Sequence, residues 1–289
     1  MSATIQPVLS RFRRQMLLLR FTQITAAGAF LLGMGGMMVA PTEWARRSMF
    51  LGLLALVTAW VLLTLRSLRI MRQVHAGGVL MSIGRLDDAE VWLRRGMSTF
   101  SLSGRVKILA GQLLGMVLLR QGAYGQVIDL CRALLRQCRK RGGRLSIEIR
   151  MLLADSLLRL DRLDEAGQVL ASFQEETLWL EARQRLLPIT LRYELATDNP
   201  QEAVRDLKGK LRIAELLDPP NAAFVHAMLA EACRRTGRTE QLAFLAERAA
   251  LYHDLQPLAQ NWPIIAPIVS THPGDDPPAD ADVPDRPTS

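Results

Sequence analysis

Four histidines, three cysteines and one glycine cluster are the residues of this sequence from which chemistry could be built. His75, His226, His253 and His272 fall at no spacing that brings two imidazoles to one metal. Cys131 and Cys138 share a helix face, but two soft ligands without a neighbouring His or further Cys make a poor zinc site, and Cys233 stands alone. Three Cys exclude a disulfide scaffold and a four-Cys metal centre. Gly33-Met34-Gly35-Gly36 sits inside an uncharged apolar run, where it cannot cradle a phosphate. A phosphate loop, a nucleophile elbow and a zinc-protease signature are all missing from the sequence. The acidic pairs Asp87/Asp88 and Asp164/Glu165 open amphipathic runs, where negative charge complements a helix N-terminus. The expectation is therefore no enzyme, no cofactor, no metal and no small-molecule substrate.

Charge is the remaining resource. The chain of 289 residues carries 36 Lys+Arg, 32 of them Arg, against 28 Asp+Glu. The excess is concentrated: residues 1–72 hold nine Arg and a single acid, Glu43, while residues 271–289 hold five Asp and one Arg. What lies between is close to balanced, so the high pI belongs to the N-terminus, and a membrane explains it better than nucleic acid. The 49% hydrophobic content excludes wholesale disorder.

The elements that must carry these charges begin with two apolar runs. Residues 21–42 are 22 consecutive residues without a charge, and residues 48–65 are 18 more. As helices they reach about 33 and 27 Å, against a hydrocarbon core of about 30 Å. Arginine brackets both runs and can snorkel to the interface. The expected plan is a basic segment at 1–20, a first span at 21–42, a short external turn at 43–47 and a second span at 48–65. Seven Arg flank the outer ends of the hairpin and two lie in its turn, which places both chain termini in the cytoplasm. The architecture and the preference for Arg over Lys suggest a bacterial inner membrane. Small residues Thr25, Ala29, Gly33, Gly36 and Ala40 recur at helical spacing in the first span, a stripe that lets another helix approach closely.

Beyond the second span a period appears. Five turn-like stretches, Gly84–Ala89, Gly122–Val127, Asp161–Ala166, Asp198–Ala203 and Gly237–Leu242, begin 38, 39, 37 and 39 residues apart. Each stands between two amphipathic runs. Seven residues before the turn is a small residue in four cases: Gly77, Gly115, Ala154 and Ala230; Leu191 takes the place in the fourth repeat. Small residues there allow close crossing of two helices, with Leu93, Cys131, Leu170 and Ala246 filling the seam. Gly77-x2-Leu80-x3-Gly84-x-Leu86-x2-Ala89-x3-Leu93, and less fully Leu114-Gly115-x2-Leu118-x3-Gly122-x-Tyr124, resemble the tetratricopeptide repeat family. The resemblance covers about residues 72–252; the step is longer than the family's, and its first-helix Trp and closing Pro are mostly missing. The fold class expected is all-α: a two-helix transmembrane hairpin followed by an α-solenoid of about five such repeats over 66–252. A cap at 253–270 and a disordered Pro/Asp-rich tail at 271–289 would follow.

The resemblance implies a concave groove lined by the first helix of each repeat. Carried over by register, it directs Gln112, Met116, Arg120, Asp155, Arg159, Arg192, Glu231, Arg234 and Arg235 toward the groove. Their Arg excess suits an acidic or C-terminal segment of a protein or peptide partner. The Lys/Asn clamp of the family's chaperone-tail binders is missing: Gln112, Met116, Met151 and Asp155 stand at the matching places. The function expected is a membrane-tethered scaffold or adaptor. The alternative is a structural or accessory subunit of a membrane or envelope complex, assembled through the hairpin.

Overall fold

The five turns expected from the sequence are five copies of one backbone motif. A computed structural model of the chain describes residues 4–39, 42–138, 143–174 and 176–270. At Gly84, Gly122, Asp161, Asp198 and Gly237 the backbone enters the left-handed region, with φ of 82°, 75°, 55°, 52° and 73°. The N–H of the following residue reaches back five positions: Arg85 to Leu80, Ala123 to Leu118, Arg162 to Leu157, Asn199 to Glu194 and Arg238 to Cys233, all at 2.8–3.0 Å. The turn residue's own N–H bonds three positions back in every case. Together these bonds satisfy two carbonyls that a helix end leaves open. Glycine meets no Cβ clash there, and aspartate tolerates it better than most side chains. The regular structure among the described residues is helical throughout.

The chain divides into two compact units, Met1–Ser172 and Phe173–Ser289. The first holds α1 (Gln6–Val39), α2 (Glu43–Ser82), α3 (Leu86–Ser98), α4 (Gly104–Arg120), α5 (Tyr124–Leu135), α6 (Arg144–Arg159) and α7 (Leu163–Ala171). Helices α2/α3, α4/α5 and α6/α7 are joined by the first three turns, and α4 packs against both α2 and α6. The small residues allow that closeness. A Cβ on Gly77 would lie 2.9 Å from Leu93, and one on Gly115 would lie 2.5 Å from Leu152. Leu93, Leu114, Leu118, Leu130, Cys131 and Ala154 are buried around them.

Both apolar runs are helical, and each belongs to a longer helix than its run of uncharged residues. Helix α2 continues without a break for 40 residues, about 60 Å, from Glu43 to Ser82. The stretch expected as an external turn, 43–47, forms its first turn, where Glu43 pairs with Arg47 at 3.7 Å. Helix α1 likewise starts at Gln6, well before its uncharged run. Ile5, Leu9, Phe12, Met16 and Leu19 are buried at alternating spacings of four and three, while Arg11, Arg13 and Arg14 point to solvent. The basic N-terminal segment is thus one face of a packed helix, resting on α2 and α3. Farther along, Leu31, Leu32, Leu54 and Leu62 are exposed. Both helices are long and apolar enough to cross a membrane.

The second unit holds α8 (Leu180–Ala196), α9 (Pro200–Val204), α10 (Leu207–Ala214), α11 (Pro219–Arg235), α12 (Thr239–Tyr252), α13 (Leu255–Asn261), a 3-10 turn (Pro263–Ile265) and α14 (Ala266–Ser270). The second helix of the fourth repeat is split. Arg205 is extended and Asp206 takes φ 49°, its carboxylate accepting from the Gly209 N–H to start α10. Helix α11 is the centre of this unit, with Ala222–Cys233 buried on every side. The expected cap lies across α11 and α8, the first helices of the fifth and fourth repeats, with Leu255, Ile265 and Ile268 buried.

Candidate functional site

An open concavity of the first unit lies between first helices. Its volume is about 640 Å³, and its walls are the C-terminal part of α2, the N-terminal half of α4 and Leu145 of α6. Met71, Val79, Val106, Leu109 and Leu113 give it an apolar floor; His75, Ser82 and Arg105 are its exposed polar residues. The local sequence accounts for this. Helix α4 is apolar almost all round: Leu114, Val117 and Leu118 fill the interior, and a second stripe at Val106, Leu109, Leu113 and Met116 remains. That double stripe was the available signal for the groove, because a helix buried on one side needs apolar residues on one side only.

None of the nine residues that the register directed toward a groove is among those that line this one. Met116 is half-buried and Arg120 is exposed. Gln112 is buried, and its Oε1 has no hydrogen-bond partner among the described residues. The arginines largely join consecutive repeats. Arg120 Nη1 donates to the Met81 carbonyl at 3.1 Å, and Arg235 Nη1 donates to the Leu195 carbonyl at 3.1 Å. The two contacts are equivalent: each arginine stands two residues before its own turn, and each carbonyl three residues before the preceding turn. Arg159 sits 3.8 Å from Asp155 and donates to the Tyr124 hydroxyl at 3.3 Å. Such charge-assisted bonds to a helix end fasten one repeat to the next.

In the second unit the corresponding first-helix face is covered. The Arg192 guanidinium lies 4.4 Å from the centroid of Trp262, which packs on Phe224 at 5.1 Å. Glu231 is fully buried and accepts from Arg234 at 2.7 and 2.8 Å and from Arg235 at 2.7 Å. Burial alone would raise its pKa, but the hydrogen bonds and charge of the two guanidinium groups outweigh it and hold the carboxylate below its usual range. His226 is buried; its Nδ1 is 2.8 Å from the Ala222 carbonyl and its ring packs on Tyr252. Burial depresses its pKa and so favours the neutral ring.

One buried cation lies beside α1. Lys107 of α4 is wholly enclosed; its Nζ donates to Gln15 Oε1 and, at 3.3 Å, to the Met97 carbonyl. Gln15 in turn donates to the Ser98 carbonyl, so one polar chain ties α1 to α3 and α4. Burial pushes the lysine pKa down to about 8.

Within the hairpin, Gly33 and Gly36 of the small-residue stripe are the close-approach points. A Cβ on them would meet Leu53 at 2.9 Å and Met49 at 3.0 Å. Thr25 and Ala29 are exposed. Ala40 and the tail at 271–289 with His272 lie outside the described residues. Among the described residues no three His, Cys, Asp or Glu side chains gather as metal ligands, and burial raises the Cys131 thiol pKa, which suits a packed thiol better than a reactive one. No protein-family model, curated protein or solved structure matches the chain.

Proposed function

We propose that the chain is a membrane-anchored adaptor of tetratricopeptide-like repeats. It holds a segment of a partner protein in the α2/α4 groove at the cytoplasmic face of a bacterial-type inner membrane. The observation that carries this reading is α2 itself. One uninterrupted helix exposes apolar side chains such as Leu54 and Leu62 along its first part and walls the groove with Met71, His75 and Val79 along its last. A rigid helix of this kind fixes the groove close to the bilayer, and tethering raises the local concentration of what it holds. The groove's chemistry suits an apolar segment flanked by acid, its side chains seated on Val79, Leu109 and Leu113 and its charge near Arg105.

The experiment is quantitative capture of partners from gently solubilised membranes, comparing the full chain with Val79→Glu. Val79 is 55% exposed, so the substitution leaves the fold intact while placing a charge in the groove. Loss of a partner, with unchanged circular dichroism, supports the adaptor reading. A second reading, a subunit assembled through the hairpin, is favoured by Thr25 and Ala29, small residues of the stripe that stay exposed. A partner that survives Val79→Glu and is lost with Ala29→Leu would select that reading instead.

A further inference from the structure

We propose that Arg66, Arg69 and Arg95 form a binding site for the phosphate of an anionic phospholipid. This proposal rests on the membrane reading above and goes beyond it. The three guanidinium groups line a recess of about 510 Å³ together with Leu62, Leu65 and Thr99. Leu62, Leu65, Arg66 and Arg69 share one side of α2, with Leu62 four residues before Arg66 and Leu65 four before Arg69. Over about 10 Å that face passes from apolar to doubly basic. Arg95 and Thr99 close the recess from the last turn of α3 and the residue after it. A lipid presents the same order of chemistry, with acyl chain first and phosphate next.

The level of the recess is fixed by contacts that owe nothing to charge. The Leu102 N–H donates to Ser67 Oγ on α2 at 2.9 Å, and the Leu102 carbonyl accepts from Gln23 Nε2 on α1 at 3.5 Å. Helices α1 and α2 are thus pinned to the turn after α3 where the uncharged run of α1 begins, at Phe21, and that of α2 ends, at Leu65. The recess opens at that boundary.

Several other arginines of the unit have acidic partners. Arg85 pairs with Asp88, Arg94 with Glu90, and both Arg132 and Arg162 with Glu165. Arg66, Arg69 and Arg95 are exposed, have no ion-pair partner among the described residues, and no acid lines their recess. Guanidinium groups suit phosphate because their donors meet two oxygens at once. At an anionic bilayer surface each basic side chain is worth about five-fold in affinity, so three amount to about a hundred-fold.

The test uses the full chain in a neutral detergent and counts bound phospholipid by native mass spectrometry during titration with phosphatidylglycerol or phosphatidylcholine. The site variant is Arg66→Gln/Arg69→Gln/Arg95→Gln. A control of equal charge loss is Arg11→Gln/Arg13→Gln/Arg14→Gln, on the exposed face of α1. We expect the chain to prefer phosphatidylglycerol, the site variant to lose about a hundred-fold in affinity for it, and the control to keep most of it. Equal binding of the two lipids, equal loss in both variants, or competition by inorganic phosphate as strong as by lipid would overturn the proposal. Alkaline extraction of the membranes separates the two failures. A chain that is extracted overturns the membrane reading and the site with it, whereas a chain that stays integral without the expected preference overturns the site alone.

Discussion

Raising the pH from about 8 to 10.5 removes a cost that Lys107 imposes on the first unit. The side chain is fully enclosed, and burial moves its pKa from the ordinary 10.5 down to about 8. Below pH 8 the folded and unfolded chains both carry the proton, and the folded one bears the buried charge. Between the two pKa values only the unfolded chain binds the proton, so stability rises with pH; above 10.5 both states are neutral and the gain is complete. At about 1.36 kcal/mol per pH unit, the interval amounts to about 3 kcal/mol. Buried thiols act in the opposite sense. Burial raises the pKa of Cys131 and Cys233, so the unfolded chain ionises first and stability falls as pH passes their ordinary value of 9.0. The wild-type curve therefore mixes both effects, and the informative quantity is wild type minus Lys107→Met, which keeps the apolar stem and removes the ammonium. Chemical denaturation of the detergent-solubilised chain, followed by circular dichroism, would supply both curves. Their difference should climb by about 3 kcal/mol across the window. A difference that stays flat refutes the reasoning and means that Lys107 keeps an ordinary, hydrated ammonium.

Three further expectations concern packing. Gly115→Val must displace Leu152, whose Cδ2 lies 2.5 Å from where the new Cβ would stand, and should cost about 1–3 kcal/mol in denaturant unfolding. Gly125→Ala, helical and with nothing near its Cβ, should instead stabilise by about 0.5–1 kcal/mol. Phe12→Ala removes a fully buried ring from the underside of α1 and should cost about 3–5 kcal/mol; a change below 1 kcal/mol would mean that the start of α1 does not pack as described.

The periodic part of the fold was legible because its signal is local. A helix that must end in a left-handed residue asks for Gly or Asp at that position, and Gly84, Gly122, Asp161, Asp198 and Gly237 answered it five times. The small residue seven places earlier had its own local reason, seen at Gly77 against Leu93. The start of α1 carried a signal as well, Ile5-x3-Leu9-x2-Phe12-x3-Met16-x2-Leu19, but its arginines drew attention to charge when the same residues were alternating with a buried face. Register could place an arginine on a first helix without telling whether it is solvated or tied. That depends on a carbonyl about 40 residues earlier, as with Arg235 and Leu195, and a carbonyl leaves no trace in sequence. Arg192 is the same case: only the fold brings Trp262 over it.

The difference between the two units bears on what the adaptor would hold. In the second unit the face of α8 and α11 is apolar, and the chain covers it with its own residues 255–270, burying Leu255, Ile265 and Ile268 and seating Trp262 between Phe224 and Arg192. In the first unit the face of α2 and α4 is also apolar and stands open, with Val79 and Met71 about half exposed. Apolar surface left in water costs about 25 cal/mol per Å², so a contiguous open stripe beside well-packed helices is the mark of a surface that is covered in use. The covering segment of the second unit shows what such a face accepts: short helical turns broken by proline, aliphatic side chains two or three residues apart, and an aromatic ring laid beside an arginine. On the adaptor reading, Arg105 stands ready for that last contact. A partner segment with a Trp or Tyr between aliphatic anchors then fits the open groove better than the purely acidic tail that an arginine-rich first-helix face alone would suggest.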